Sequence, residues 1–352
     1  MFKIKINNRE IKLLNSFSIN KDLNNFVDTF NINIWNPWGI YSRTIPVWAY
    51  INVYYNNIEI FRGVCEKKDV NIWNVWFDLS FSGREEMLLL TEDDINPLKK
   101  DYEKVSDNFI IKDVTKWYWW EYELWAEKLI NEYKISNNWV RKWSVLNNIV
   151  SRNNFYLFKI WNTLYKKLLP SESDYTVRNS PQFTLATQGG GFVGYNNRIL
   201  DIKISENISW CKSTIKGFTY GASNTKPKIV SELENTSLST WIYPQRLRNI
   251  SNAPLTAPVI KRFVSNSVDV KSKAELDWLL KKTRIDQDIQ IEVNITIAEF
   301  LDLHILDTCE VFIQDEDIKQ YMYIKALSYN YDKTNKFYTS YTFSPIIPVE
   351  LE

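Results

Sequence analysis

The chain has one histidine, His304, in the run EFLDLHILDT, with Asp302 and Asp307 close by. An imidazole oriented by a carboxylate is the acid–base half of a hydrolytic triad, and it needs a nucleophile within hydrogen-bond reach. No serine or cysteine around it is marked for that role, and the segment alternates like a strand or turn. His304 therefore reads as a structural or surface residue. A lone histidine also excludes a multi-histidine metal centre. Cys65, Cys211 and Cys309 are an odd number, far apart and without a CxxC pair. They read as packed, reduced thiols, neither a disulfide framework nor a zinc site. The acidic run QDED at 314–317 lacks the alternating spacing of a calcium loop and lies between two strand patterns, where a solvated hairpin turn is expected. Gly189–Gly191, in TQGGGFVGYNN, has neither the GK[ST] ending nor the strand-to-helix setting of a phosphate loop. It is expected to be a flexible excursion between strands. No pair of carboxylates is singled out for glycoside cleavage. The sequence thus nominates no catalytic, cofactor-binding or metal-binding residue.

Arg84 is a candidate for a different task. Strand FDLSF runs into Gly83-Arg84, where glycine lets the backbone turn toward the next helix without a Cβ clash. Arg84 then stands at a domain edge, where its guanidinium fork can take a carboxylate of a neighbouring chain or domain. It is the one candidate interchain contact; the alternative is an ordinary surface arginine after a turn. Aromatic residues make up 15% of the chain. They could stack sugars or bases. Yet runs such as YMYIKALSYNYD and FYTSYTFSP alternate with polar residues, which is how a barrel or sandwich is filled. Packing between chains is the next reading.

These residues need elements to position them. At 352 residues the chain is long enough for two or three domains. With 43 basic and 42 acidic residues it has no global field directed at nucleic acid or an anionic membrane. The N-terminal MFKIKINNREIKLL is charged throughout, without the apolar region of a signal peptide, and no window approaches the ~20 apolar residues of a membrane span. A soluble intracellular product is expected, or a part that leaves the cell by another route. KIKINN, DTFNINIW, VWAYINVYY, IEIFRG and FDLSFSG alternate with period two, with turn residues between them. No helical stretch separates them, so they predict an antiparallel meander over residues 1–98. Leu124, Leu129 and Ile130 give Asp113–Ser136 amphipathic-helix spacing, and Lys142–Arg152 reads as a second helix, followed by short strands FYLFKI and TLYKKLL. Residues 170–198 read as a polar connection. From Ile199 strand patterns return (ILDIKI, STIKGFTYG), with a helix around Lys271–Lys282 and closing strands EVFIQD, YMYIKALSYNYD and FYTSYTFSP. The expected fold is mainly β with an α+β insert: a β domain over 1–98, an α/β insert and connection over 99–198, and a second β domain with a packed helix over 199–352.

The order of these segments resembles the tail-hub proteins of contractile-tailed phages, the late control D and phage Mu hub family. The likeness is carried by IEIFRGVCEKK (58–68), FDLSFSGREEMLLLTEDDI (77–95), WSVLNNIVSRNNFYLFKIWNTLY (143–165) and NNRILDIKISENISWCKSTIKG (196–217). ELDWLLKK followed by LDTCEVFIQDEDIKQYMYIKALSYNYDKTNKFYTSYTFSP completes it, so that it covers nearly the full length. The resemblance implies two similar β-barrel-like tube domains flanking the small α/β domain. It further implies a non-enzymatic homotrimer whose six β domains form a pseudo-sixfold ring around a channel, adapting a sixfold tail tube to a threefold spike. The implied partners are further copies of the chain, the tail tube protein and the central spike protein, with tape measure and baseplate wedge proteins as further candidates. The implied place is the tail tip or baseplate of the virion, assembled in the host cytoplasm and used in DNA ejection. The alternative is a tail-associated carbohydrate-binding or peptidoglycan-degrading protein.

That family tends to have glycine where this chain has Trp48, Trp76, Trp143 and Trp161. Trp73-Asn74 and Trp161-Asn162 also fall at turns where Asn-Gly or Gly-Asn would be expected. The chain has 15 Trp and only 9 Gly, against an average usage of ~7% for Gly alone. Either these indoles are real anchors, or the gene reads UGA as glycine and was conceptually translated with tryptophan. The first reading predicts definite pockets and negative φ at Trp48, Trp73, Trp143 and Trp161; the second predicts exposure or positive φ. Trp125 and Trp278, on helical patterns, are expected to be packed.

Overall fold

Alternation of apolar and polar residues becomes strand over most of the chain in the computed structural model of the protein. The structure describes residues 2–23, 25–73, 76–95, 101–135, 140–151, 155–170, 183–188, 191–192, 199–207, 214–220, 227–234, 261–265, 290–313, 318–334 and 336–346, together with 273, 276, 277 and 280. The first third supplies β1 (Phe2–Ile6), β2 (Arg9–Ile11), β3 (Leu14–Asp22), β4 (Asn25–Trp35), α1 (Ile40–Thr44), β5 (Tyr50–Tyr55), β6 (Ile58–Trp73), β7 (Trp76–Glu85) and α2 (Leu88–Glu92). The middle supplies β8 (Asp101–Ser106), α3 (Asp107–Thr115), β9 (Glu121–Leu124), β10 (Leu129–Lys134), α4 (Lys142–Ser151), β11 (Phe155–Ile160) and β12 (Thr163–Leu168). There follow β13 (Phe183–Gln188), β14 (Gly191–Phe192), β15 (Ile199–Asn207), β16 (Thr214–Tyr220), β17 (Pro227–Glu234) and β18 (Lys261–Ser265). The chain closes with β19 (Gln290–Ile297), β20 (Thr308–Ile313), β21 (Ile318–Asp332) and β22 (Lys336–Pro345).

Both ends of the chain build one sheet, in the order β14-β13-β20-β21-β3-β4-β7-β6-β5-β1-β2, with β22, β19 and β15 branching from β21. The fold is mainly β and largely antiparallel, as the meander pattern predicts. β6 pairs with β7 from Gly63↔Glu85 to Trp73↔Trp76, and β20 pairs with β21 from Thr308↔Tyr323 to Ile313↔Ile318. The tight turns use residues that tolerate a left-handed backbone. Asn7-Asn8 and Asn56-Asn57, at φ 47 and 65 and φ 47 and 69, join β1 to β2 and β5 to β6. The join between the two ends is β3 against β21, in register from Ala326↔Asp22 to Asp332↔Ser16. Beneath it lies a single apolar cluster drawn from both ends, including Ile19, Ile32, Leu79, Phe81, Val293, Val311, Met322 and Phe343. Removing this area from water is the main favourable term holding the sheet together.

The middle segment has its own apolar cluster around Met87, Ile110, Val145, Leu146, Ile149 and Leu164. Its strands form a β8–β10 pair and a β11-β12-β9 sheet. The helix expected over Asp113–Ser136 is not there. α3 begins earlier, capped by the Ser106 hydroxyl accepting from the Phe109 amide at 3.1 Å, and ends at Thr115. A 3-10 turn, Lys116–Tyr118, then stops at Trp119 in the left-handed region. EYEL and LINEYK also alternate with period two, and the partners β12 and β8 draw them into strands; tertiary pairing overrides the helical spacing. α4 stands where expected. Within the connection expected over 170–198, β13 is a strand running parallel to β20. Of the helix expected at 271–282, residues 273, 276, 277 and 280 are helical. Leu276 and Leu280 are buried over Gly217, where an added Cβ would meet Leu276 Cδ1 at 2.8 Å. Trp278 lies outside the described residues. Among those residues no helix is long and apolar enough to cross a membrane.

Candidate functional site

Period two along β11 puts Phe155, Leu157 and Lys159 on the buried face. A buried ammonium must find carboxylates, and β7 ends where it can supply them. Lys159 Nζ lies 3.4 Å from Glu85 Oε1 and 3.5 Å from Glu86 Oε2. Arg62 Nε holds Glu86 from the other side at 2.9 Å, and Lys21 pairs with Asp28 at 3.2 Å across β3 and β4. Burial pushes the Glu85 carboxyl up to about 7, with Lys159 opposing and Asp28 adding to the rise. Burial also raises Asp28, against the pull of Lys21. Lys159, Glu85, Lys21 and Asp28 border a cavity of about 20 Å³, which also touches His304. That is room for about one water, far below the several hundred Å³ of a substrate pocket.

His304 sits in the irregular segment before β20. Its backbone N–H donates to Asp307 Oδ2 at 2.7 Å, and Nε2 is 3.6 Å from Asp302 Oδ1. Burial lowers its imidazole to about 4, against the opposing Asp302, so the ring is neutral at neutral pH. The two aspartates that sequence spacing placed near His304 are thus near it. No serine, threonine or cysteine is among the residues lining the cavity beside it, so the imidazole has no nucleophile there. Cys65 and Cys309 are buried free thiols; burial raises Cys65 to about 11 and Cys309 further, which leaves both unreactive. Cys211, the QDED run at 314–317 and Gly189–Gly190 lie outside the described residues, while Gly191 belongs to β14. Among the described residues no three His, Cys, Asp or Glu side chains are grouped to hold a metal ion.

Arg84 lies within β7, opposite Val64 and Thr29. Its fork is bidentate on Glu66 of its own chain, Nε to Oε2 at 2.8 Å and Nη2 to Oε1 at 2.6 Å, with Glu92 at 3.3 Å. The guanidinium side chain remains 33% exposed. Gly83 does not make the turn expected of it, because β7 continues to Glu85. The glycine is needed for close approach: a Cβ there would lie 2.0 Å from Val64 O, beside the bulge between Cys65 and Lys67.

Several strands of the described residues have a partner on one side only, and two of these edges carry exposed apolar residues. β5 accompanies β6 as far as Val64 and the Trp48–Ala49 backbone bonds Cys65; beyond it Val70 and Ile72 are exposed. β15 pairs only with β19, and its Leu200 is exposed. The tryptophans divide. Trp48, Trp119 and Trp161 have φ of 72, 57 and 53 and are exposed. Trp143 stacks on Phe26 with ring centroids 3.2 Å apart. Trp73 pairs with Trp76 at the end of the β6–β7 ladder, and Asn74 of the expected turn lies outside the described residues. Trp125, expected on a helix and packed, follows β9 and is exposed, since the helix that would have carried it is absent.

Sequence reasoning missed the Lys159 cluster and a second buried pair, Lys166 with Asp107 at 2.8 Å. A lysine at an inward position of an alternating strand was the available signal for each. No protein-family model matches the chain, and no curated protein matches it in sequence. Its fold has relatives among solved structures. A tail protein from Neisseria meningitidis is 12% identical with a TM-score of 0.73, the match covering 97% of this chain and 95% of that one. A prophage tail protein from Shewanella oneidensis is 9% identical with a TM-score of 0.74, covering 97% of each chain. A component of the type VI secretion system of E. coli is 10% identical with a TM-score of 0.55, covering 97% of this chain and 76% of that one. At such identities the likeness is one of fold.

Proposed function

We propose that the chain is a structural hub subunit of a phage tail or related injection machine. The observation that carries this reading is a fold shared with tail proteins along 97% of the chain. In the proposal, residues 1–98 and 199–352 are the two tube domains and 99–198 the insert. Three chains close a ring around a channel, between the tail tube on one side and a spike protein on the other. The ring sits at the tail tip or baseplate of the virion. Two features support assembly with further copies. An unpaired strand edge is a template for another strand, and those of the described residues include two of unlike sequence, β6 beyond Cys65 and β15. Unlike edges that meet head to tail give a ring when the rotation closes. Near-neutral net charge suits a part held by large protein interfaces. Arg84 is the proposed contact to a neighbouring chain, exchanging part of its fork from Glu66 to a partner carboxylate. Mass photometry of the purified protein, alone and with a tube or spike partner, tests the reading. Trimers are expected, and a chain that stays monomeric in the assembled particle overturns it.

A further inference from the structure

Three tryptophans have left-handed backbone, each in a different local motif. Trp48 is the third residue of the turn Pro46–Ala49, closed by the Ala49 amide donating to Pro46 O at 3.3 Å. Its φ is 72, while Val47 is not at positive φ. Left-handed backbone at the third residue alone defines a type II turn, whose third position takes glycine. Trp119 ends the 3-10 turn Lys116–Tyr118 at φ 57 and ψ 31, the left-handed step with which glycine commonly terminates a helix. Trp161 is the first of two residues linking β11 to β12 across the Ile160↔Thr163 pair. It has φ 53 while Asn162 is not at positive φ, the pattern of a type II′ hairpin turn, whose first position takes glycine.

The neighbouring structure holds these turns in place. The Trp48 amide donates to Cys65 O at 2.6 Å, and the Cys65 amide donates to Ala49 O at 3.0 Å. Beside Trp161, the Glu121 amide donates to Asn162 O at 2.9 Å. These bonds tie the turns at Trp48 and Trp161 to β6 and β9. Elsewhere left-handed backbone is taken by Gly39 at φ 69 and by the two Asn-Asn turns, and also by Lys104, Ala126, Leu306 and Lys336, none of which has the bulk of an indole. A bulky side chain is a poor occupant, because its Cβ crowds the backbone at positive φ. Burial does not compensate. Trp48, Trp119 and Trp161 are 61%, 84% and 45% exposed, and the ring contact of Trp161 is edge-on to His304 at 5.7 Å. The composition, 15 Trp against 9 Gly, runs the same way.

We propose that the natural protein carries glycine at positions 48, 119 and 161, because its gene reads UGA as glycine and tryptophan stands in the sequence for those codons. Trp120 is buried and stacked on Tyr118, and needs no such codon. With glycine at the three turns, their exposed rings disappear, and with them any stacking platform for sugars at these sites. The proposal is independent of the hub reading. Peptide mass spectrometry on protein from its natural source, beside the codons of the gene, tests it. UGA codons and glycine masses are expected at all three positions, and a tryptophan mass at any of them overturns the proposal. Recombinant protein gives a second readout. Trp48→Gly, Trp119→Gly and Trp161→Gly should each raise the melting midpoint by about 2–4 °C, whereas Trp120→Gly should lower it. A fall at any of the three turn positions overturns the claim that the site is built for glycine.

Discussion

Lys166 and Asp107 are both sealed from solvent, and the site is completed by Ala126 O, which accepts from Lys166, and by the Asn108 and Lys128 amides, which donate to Asp107. Lys166→Met leaves the Asp107 carboxyl without its cation and should cost about 3–5 kcal/mol in denaturant unfolding. Adding Asp107→Asn should recover much of that loss, since an apolar–neutral pair no longer buries an uncompensated charge. His304 and Glu85 make opposite pH predictions. The His304 pKa falls from 6.5 to about 4 on folding, so its contribution to stability is present above 6.5 and is lost as pH falls toward 4. The Glu85 pKa rises from 4.5 to about 7, so its contribution is full below 4.5 and is lost as pH rises through 7. In His304→Gln, the stability lost between pH 7 and pH 4 should shrink by on the order of 2–3 kcal/mol. Chemical denaturation at each pH measures it, and an unchanged slope would show that the imidazole is not held neutral by the fold.

β6 and β7 approach so closely at Gly83 that a single methyl group has nowhere to go. Gly83→Ala should therefore cost about 2–3 kcal/mol or more, because its Cβ meets the backbone carbonyl of Val64, which cannot rotate aside as a side chain could. A melting curve matching the parent would refute this. The strands themselves were legible in sequence, since alternation in KIKINN or FYTSYTFSP is local. Their neighbours were not. β3 finds β21 from the far end of the chain, and nothing inside LNSFSINKD names that partner. Leu124, Leu129 and Ile130 fit helical spacing, but β8 and β12, contributed by other segments, decide the outcome. The same limit applies to the site. His304 and its aspartates are near in sequence and were seen. The Lys159 cluster draws on β3, β4, β7 and β11, so no spacing within one element announces it.

In the proposed ring, neighbouring copies would cover the edges of β6 and β15. Ile72→Lys, placed at an exposed apolar position of the first edge, should reduce the trimer fraction in mass photometry while leaving the unfolding of the single chain unchanged. Leu200→Lys should do the same at the second edge if unlike edges meet; an effect at neither site would move the interface elsewhere. The two β halves should also superpose on one another, as a ring with quasi-sixfold symmetry requires. The β3–β21 ladder has a consequence for synthesis. Ser16 emerges from the ribosome long before its partner Asp332. Until then β3 and β4 wait with one edge open, and closing so long a loop makes folding slow. A chain that stops short of β21 lacks the strand that zips the two halves of the sheet together. The order of synthesis thus acts as a checkpoint: only a chain extended through β21 can complete the sheet.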